Sequence, residues 1–184
     1  HTPAGGSATP THFTYDYTGN RLTQNDNGSV TNYLYNGLDQ LESTSGAVTA
    51  SYTYDIRGNL DTVIDTSGTT NYDYNYRNQL DHVLKADGLT TVDYEYDHNG
   101  NRISRTVGTD VTKYVWDEYS AYGDVILEAD ETDTTIAEYT LANGQLISQN
   151  RSGIASYYLY DAQGSVRSLT DSSGTPLNEC DHLT

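Results

Sequence analysis

Tyr52-Thr53-Tyr54-Asp55-Ile56-Arg57-Gly58-Asn59-Leu60 decides the fold. Its two rings stand two residues apart, the period of a strand, so both face one side of a sheet while Thr53 faces the other. Tyr is a strong strand former on a half-buried pleated surface. Asp55 brings a short carboxylate that can bond the backbone two residues on, and Gly58-Asn59 tolerates positive φ, which is turn chemistry. Leu60 then opens a return strand. The stretch predicts a strand, a tight turn and a second strand.

The pattern recurs along the chain. Phe13-Thr14-Tyr15-Asp16 precedes it, then Tyr33-Leu34-Tyr35-Asn36. Tyr72-Asp73-Tyr74-Asn75, Tyr94-Glu95-Tyr96-Asp97 and Tyr114-Val115-Trp116-Asp117 follow. A degenerate copy starts at Tyr139, and the last is Tyr158-Leu159-Tyr160-Asp161. Leading aromatics are spaced by 20, 19, 20, 22, 20, 25 and 19 residues, and 13 of the 18 Tyr occupy the two aromatic columns. Internal repetition at such a period is the signature of an array. Return-strand aliphatics follow each turn at Leu22, Leu41, Leu60, Leu80, Ile103, Ile147 and Leu169. Second turns close the units at Asn27-Gly28, Ser45-Gly46, Ser67-Gly68, Asp87-Gly88, Val107-Gly108, Ser152-Gly153 and Ser173-Gly174. The expected fold is all-β: tandem antiparallel hairpins in a continuous twisted ribbon or spiral, about eight units over 13–177. Residues 1–12 read as a mobile tail or extended arm and 178–184 as a C-terminal tail. Residues 118–138 read as an acidic inserted loop or an extended hairpin.

Composition agrees. There are 18 Tyr against one Phe, one Trp, one Cys and no Met, so buried area must come from rings whose hydroxyls find partners. A net charge of −17 opposes binding to a phosphate backbone or an anionic membrane. No apolar run approaches the ~18–20 residues of a membrane-spanning helix. The lone Cys180 excludes an internal disulfide.

Tyr52–Leu60 and Tyr94-Glu-Tyr-Asp-His-Asn-Gly-Asn-Arg102 resemble the YD-repeat of the rearrangement-hotspot (RHS) family, and the resemblance runs over about 13–177. Tyr157–Asp171 is similar to the segment that opens the RHS-associated core. Relatives include bacterial polymorphic toxins, insecticidal toxin complex subunits, wall-associated proteins and teneurins. The resemblance implies a β-ribbon spiralling into a hollow shell, which in the toxins holds a C-terminal effector. Family members continue into a self-cleaving segment with Asp-Pro motifs. Asn178–Thr184 carries none, so neither self-cleavage nor toxicity transfers to any residue here.

Chemical sites are weak by comparison. His1 lacks a partner for a copper site, and His12, His82, His98 and His182 stand at no metal-ligand spacing. Asp117, Glu118, Asp124, Glu128, Asp130, Glu131 and Asp133 do not follow a calcium loop and read as a solvated acidic stretch. Asn27-Gly-Ser29 and Asn150-Arg-Ser152 are formal glycosylation sequons that coincide with turns. No catalytic residue, metal or cofactor is expected. The residues that matter are the aromatics Phe13, Tyr15, Tyr33, Tyr35, Tyr52, Tyr54, Tyr72, Tyr74, Tyr94, Tyr96, Tyr114, Trp116, Tyr139, Tyr158 and Tyr160. With them stand the turn acids Asp16, Asp55, Asp97, Asp117 and Asp161. The expected function is a non-catalytic scaffold, a shell or spacer of an exported or surface protein. Its expected partners are further repeats, copies of itself or an enclosed effector, with no nucleic acid and no membrane insertion. A self-assembling extracellular fibre subunit and a glycan- or receptor-binding adhesion module are the alternatives.

Overall fold

A computed structural model describes residues 10–120 and 123–179. Most of the N-terminal arm and of the C-terminal tail, with His1, Cys180 and His182, lies outside the described residues. Among those described there is no helix, and seventeen strands run antiparallel to their partners, so the fold is all-β as expected. They fall into two compact units that divide between Thr91 and Val92.

The first unit is a meander. β1 (Thr11–Tyr15), β2 (Arg21–Asp26), β3 (Ser29–Tyr35) and β4 (Leu41–Gly46) pair in chain order. β5 (Ala50–Tyr54), β6 (Leu60–Asp65), β7 (Gly68–Tyr74) and β8 (Leu80–Leu84) continue it. The second unit opens with β9 (Thr91–Tyr96), β10 (Arg102–Val107), β11 (Asp110–Asp117) and β12 (Asp124–Ala129). It proceeds through β13 (Thr135–Ala142), β14 (Gln145–Arg151), β15 (Ile154–Tyr160), β16 (Val166–Thr170) and β17 (Pro176–Glu179). The acidic stretch around 118–138 therefore carries β12, a turn at Asp130–Thr134 and the start of β13.

Turns at the two edges differ. At one edge, two-residue links such as Asn27-Gly28 and Ser152-Gly153 have positive φ at both positions, as a type I′ hairpin requires. At the other, five-residue turns begin on the signature Asp or Asn. The five-residue type also occurs at the short-link edge, as Asp130–Thr134 between β12 and β13 and Asp171–Thr175 between β16 and β17. Asn143-Gly144, with φ of 52° and 75°, conversely makes a short link at the signature edge. One residue of register is lost beside the second aromatic column, between Thr14 and Tyr15, Leu34 and Tyr35, Thr53 and Tyr54, and Leu159 and Tyr160. Such bulges bend the strand and raise its twist.

The core is thin. Beyond the first repeat, whose Phe13 and Tyr15 are exposed, rings in both columns are half-buried while the residue between them is exposed, as at Tyr52-Thr53-Tyr54 and Tyr158-Leu159-Tyr160. The buried side chains are short. Thr31, Ala50, Val92, Ala137 and Ser156 each stand two residues before a first-column ring, and Thr44, Val83, Ser104, Ala129 and Thr170 lie on return strands. The first five share the ring face by strand alternation. The return-strand aliphatics divide. Leu41, Leu60 and Leu80 face the rings, whereas Leu22, Ile103 and Ile147 are exposed bulge residues. Arg21, Arg102 and Leu146 hold the inward place at those units, because a shift of one residue changes the face.

Ala137 has no exposed surface. Ala137→Leu is expected to cost roughly 1–3 kcal/mol by overpacking, read as a lower urea midpoint. Thr140→Leu, at an exposed position, should leave the midpoint close to that of the parent.

Candidate functional site

The signature turns are held by one side-chain oxygen. Asp55 Oδ1 accepts from the backbone N–H of Arg57 and of Asn59, each at 2.8 Å. The Asp55 N–H donates to the Asn59 carbonyl at 2.8 Å, and the Gly58 N–H to the Asp55 carbonyl at 3.0 Å. Asp16, Asp97 and Asp161 take the same two amides, at positions two and four residues on. Asp130 and Asp171, which sequence reasoning passed over, do so as well. At Asp117 the bond is to the Tyr119 N–H at 3.0 Å. Asn36 and Asn75 fill the role with an amide oxygen.

The second atom of the side chain selects its partner. Asp has a further acceptor and meets a donor: Asn20, Asn59 and Asn101 give Nδ2 to Asp16, Asp55 and Asp97 at 3.1, 2.8 and 3.1 Å. Asn has a donor left and meets an acceptor, Gln40 Oε1 at 2.9 Å and Gln79 Oε1 at 3.1 Å. The two kinds alternate along the first unit. Asp-type turns carry Gly at the left-handed position, Gly19 and Gly58, while Asn-type turns carry Asp39 and Asn78 there with φ of 58° and 65°. Those side chains reach the preceding turn: Asn20 Nδ2 donates to Asp39 Oδ1 at 2.9 Å, and Asn78 Nδ2 to Asn59 Oδ1 at 3.0 Å. Gln40 Nε2 donates to the Gly58 carbonyl at 3.4 Å, so the four turns form a polar ladder. Beyond it, the tips project into solvent, with Tyr17, Leu38, Ile56 and Tyr76 exposed.

Several ring hydroxyls tie their unit to the one before. In the second column, Tyr54 donates to the Leu41 carbonyl at 2.9 Å and Tyr160 to the Leu146 carbonyl at 2.6 Å. Trp116 Nε1 reaches the equivalent Arg102 carbonyl at 2.9 Å. In the first column, Tyr33 donates to Gln24 Oε1 at 3.1 Å, Tyr139 to Glu128 Oε1 at 2.6 Å and Tyr158 to Gln149 Oε1 at 3.0 Å. Phe13 needs no such acceptor. Tyr35, Tyr52, Tyr72, Tyr74 and Tyr96 are half-buried rings, while Tyr15 is exposed. Burial raises the pKa of Tyr74 and Tyr158. Arg21 lies 5.0 Å from the Phe13 ring centre and 5.3 Å from that of Tyr33. Arg102 lies 5.3 Å from both Tyr94 and Tyr114, so each cation is shared by two successive repeats.

The densest polar group joins Glu128, Tyr139 and Arg151. Arg151 NH1 donates to Glu128 Oε2 at 3.1 Å and NH2 to the Tyr139 hydroxyl at 2.8 Å. Burial, then the bond to Glu128, pushes the Tyr139 hydroxyl up to about 12. The bond to Glu128 raises the pKa of Arg151. Glu128 and Tyr139 form one side of an open hollow of about 280 Å³, lined also by Tyr114, Asp124, Val125, Leu141 and Leu146. None of its described lining residues is Ser, Thr, Cys, Lys or His. Among the described residues no three His, Cys, Asp or Glu side chains gather as a metal site. Sequence reasoning located rings and turn acids one at a time. It missed their partners, although Asn, Gln, Ser or Thr four residues after the Asp or Asn, and Gln or Glu on the preceding return strand, were visible signals.

These features define an array of hairpin repeats. The teneurin YD-shell family matches residues 3–182, and the chain belongs to that family. Similar solved structures include the crystal structure of TcdB2-TccC3-Cdc42, with a TM-score of 0.55, 16% identity and coverage of 90% of this chain and 12% of that one. That of TcdB2-TccC3 has a TM-score of 0.56, 16% identity and coverage of 90% and 13%. At such identity the likeness shows the fold, and this chain spans about an eighth of theirs. No curated protein matches.

Two outcomes test the turns. Asp55→Asn sets an amide against the Asn59 amide and should lower the melting temperature; adding Asn59→Gln rebuilds the Asn36–Gln40 pair and should recover much of the loss. The carboxyls of Asp55, Asp130 and Asp171 lie below their usual pKa chiefly through side-chain bonds from Asn59, Thr132 and Ser173. For Asp16 and Asp97 desolvation is the largest influence and acts upward, but the turn bonds together outweigh it. Asp87, bonded by Thr90 and Leu89, falls to about 2. A depressed carboxyl contributes stability above its unfolded pKa and loses it as pH falls through the folded value. Thermal stability should therefore decline as pH drops from about 3.8 towards about 2, followed by circular dichroism.

Proposed function

We propose that this chain is a length of wall, a non-catalytic β-shell scaffold of an exported or surface protein, of the kind that in toxin relatives encloses a C-terminal effector. The supporting observation is where the polar side chains point their bonds. Ring hydroxyls donate to the preceding repeat, and turn oxygens accept from their own backbone and reach the neighbouring turn. Groups that could serve a chemical site are thus engaged in joining hairpin to hairpin. Stability in such an array is the sum of units and the contacts between neighbours. Its partners are further repeats of the same kind, and the acidic composition disfavours nucleic acid.

A second reading, a self-assembling fibre subunit, draws on β1. Among the described residues of its unit β1 pairs with β2 alone, and Phe13 and Tyr15 are 43% and 57% exposed. An open edge strand can take another strand. Against it, β17 begins with Pro176, which has no N–H to give to a ladder. The wall reading therefore stands first.

Electron microscopy of the product of the longest reading frame that contains this sequence separates the two. Hollow particles that protect an enclosed segment from protease are the expected result. Filaments that lengthen with concentration would favour the fibre and overturn the wall.

A further inference from the structure

The chain holds four Asn-Gly pairs: Asn27-Gly28, Asn36-Gly37, Asn99-Gly100 and Asn143-Gly144. Such pairs can lose ammonia because glycine leaves its own amide nitrogen open to approach by the asparagine side chain. The reaction needs that nitrogen free to lose its proton and the side-chain carbon free to reach it. The fold treats the four pairs differently.

At Asn27-Gly28 the Gly28 N–H donates to Asn25 Oδ1 at 2.8 Å. At Asn36-Gly37 the Asn36 amide is fixed at both ends: its oxygen accepts from the Leu38 and Gln40 N–H groups, and its nitrogen donates to Gln40 Oε1. At Asn99-Gly100 the Gly100 N–H donates to the Asp97 carbonyl at 3.2 Å. Asn143-Gly144 lacks these restraints. Among the hydrogen bonds of the described residues, none engages the Gly144 N–H or the Asn143 side chain. The position that corresponds to Asn25 is Leu141, which has no side-chain acceptor. Both residues of the pair are exposed. Asn27-Gly28 has the same turn geometry, with φ of 52° and 91° against 52° and 75°, so backbone conformation does not separate the two.

We propose that Asn143 is the site of spontaneous deamidation in the folded chain. The Gly144 amide nitrogen attacks Asn143 Cγ; a C–N bond forms, and the side-chain nitrogen leaves as ammonia with the proton lost from Gly144. Water then opens the cyclic imide at either carbonyl, giving aspartate or isoaspartate. Either product adds one negative charge. Isoaspartate also adds a backbone methylene to a two-residue link, which has no slack to absorb it. The Ala142–Gln145 pairing of β13 with β14 is the first contact to feel the change. The strands it joins carry Tyr139 and Arg151.

Peptide mapping by mass spectrometry, after incubating the intact chain in mildly alkaline buffer, tests this. Aspartyl and isoaspartyl forms should accumulate at Asn143 several-fold faster than at Asn27, Asn36 or Asn99. In denaturant the four rates should converge, because the protection comes from the fold. Asn25→Ala frees the Gly28 N–H and should accelerate Asn27 several-fold without altering Asn143. A different site reacting first would overturn the proposal. So would an order that persists in denaturant, or an Asn27 rate indifferent to Asn25→Ala.

Discussion

A single side-chain oxygen accepting two backbone N–H groups, two and four residues further on, is the bond on which this architecture rests. It closes a five-residue turn without help from a core, which matters in a sheet whose buried side chains are as small as Ala50 and Ala137. The turn brings three backbone N–H groups close together, and the Asn59 amide among them is half-buried, where a missing partner is costly. Asp55 Oδ1 satisfies two of them, and the third, the Gly58 N–H, is given to the Asp55 carbonyl. With the turn fixed, the register shift beside Tyr54 follows, and the ring faces the side on which its hydroxyl meets Leu41.

The rings then solve a different problem. A thin sheet has little apolar volume, so cohesion along the array comes from contacts that cross from one hairpin to the next. Tyr supplies both parts, a ring for area and a hydroxyl for direction. Tyr33, Tyr139 and Tyr158 each reach an acceptor on the preceding return strand. Where Arg21 or Arg102 replaces an inward Leu, its cation lies between two rings and joins repeats in the same sense.

The hairpin array was legible because its signals are local. Aromatics at a spacing of two, a short acceptor and a glycine all act within one turn, and Tyr52–Leu60 contains them all. What joins the hairpins was harder to read. Whether Arg21 or Leu22 faces the rings depends on a bulge, and a bulge shifts the face without changing the composition. The pairing of Asp55 with Asn59 and of Asn36 with Gln40 follows from donor and acceptor chemistry, yet it becomes visible only when both turns are compared. The turn at Asp130 hid in an acidic stretch because this five-residue turn lies at the short-link edge, with no aromatic doublet before it.

The tips of the first unit's signature turns have a separate consequence. Tyr17 and Ile56 are 110% and 104% exposed, while the oxygens and amides that hold their turns lie on either side of them in the chain. The loop's shape is thus decided by its stem, and the side chain at its crest is free of that duty. A molecule built this way can vary its outward character crest by crest, from aromatic at Tyr17 to aliphatic at Ile56, while the strands underneath keep their course.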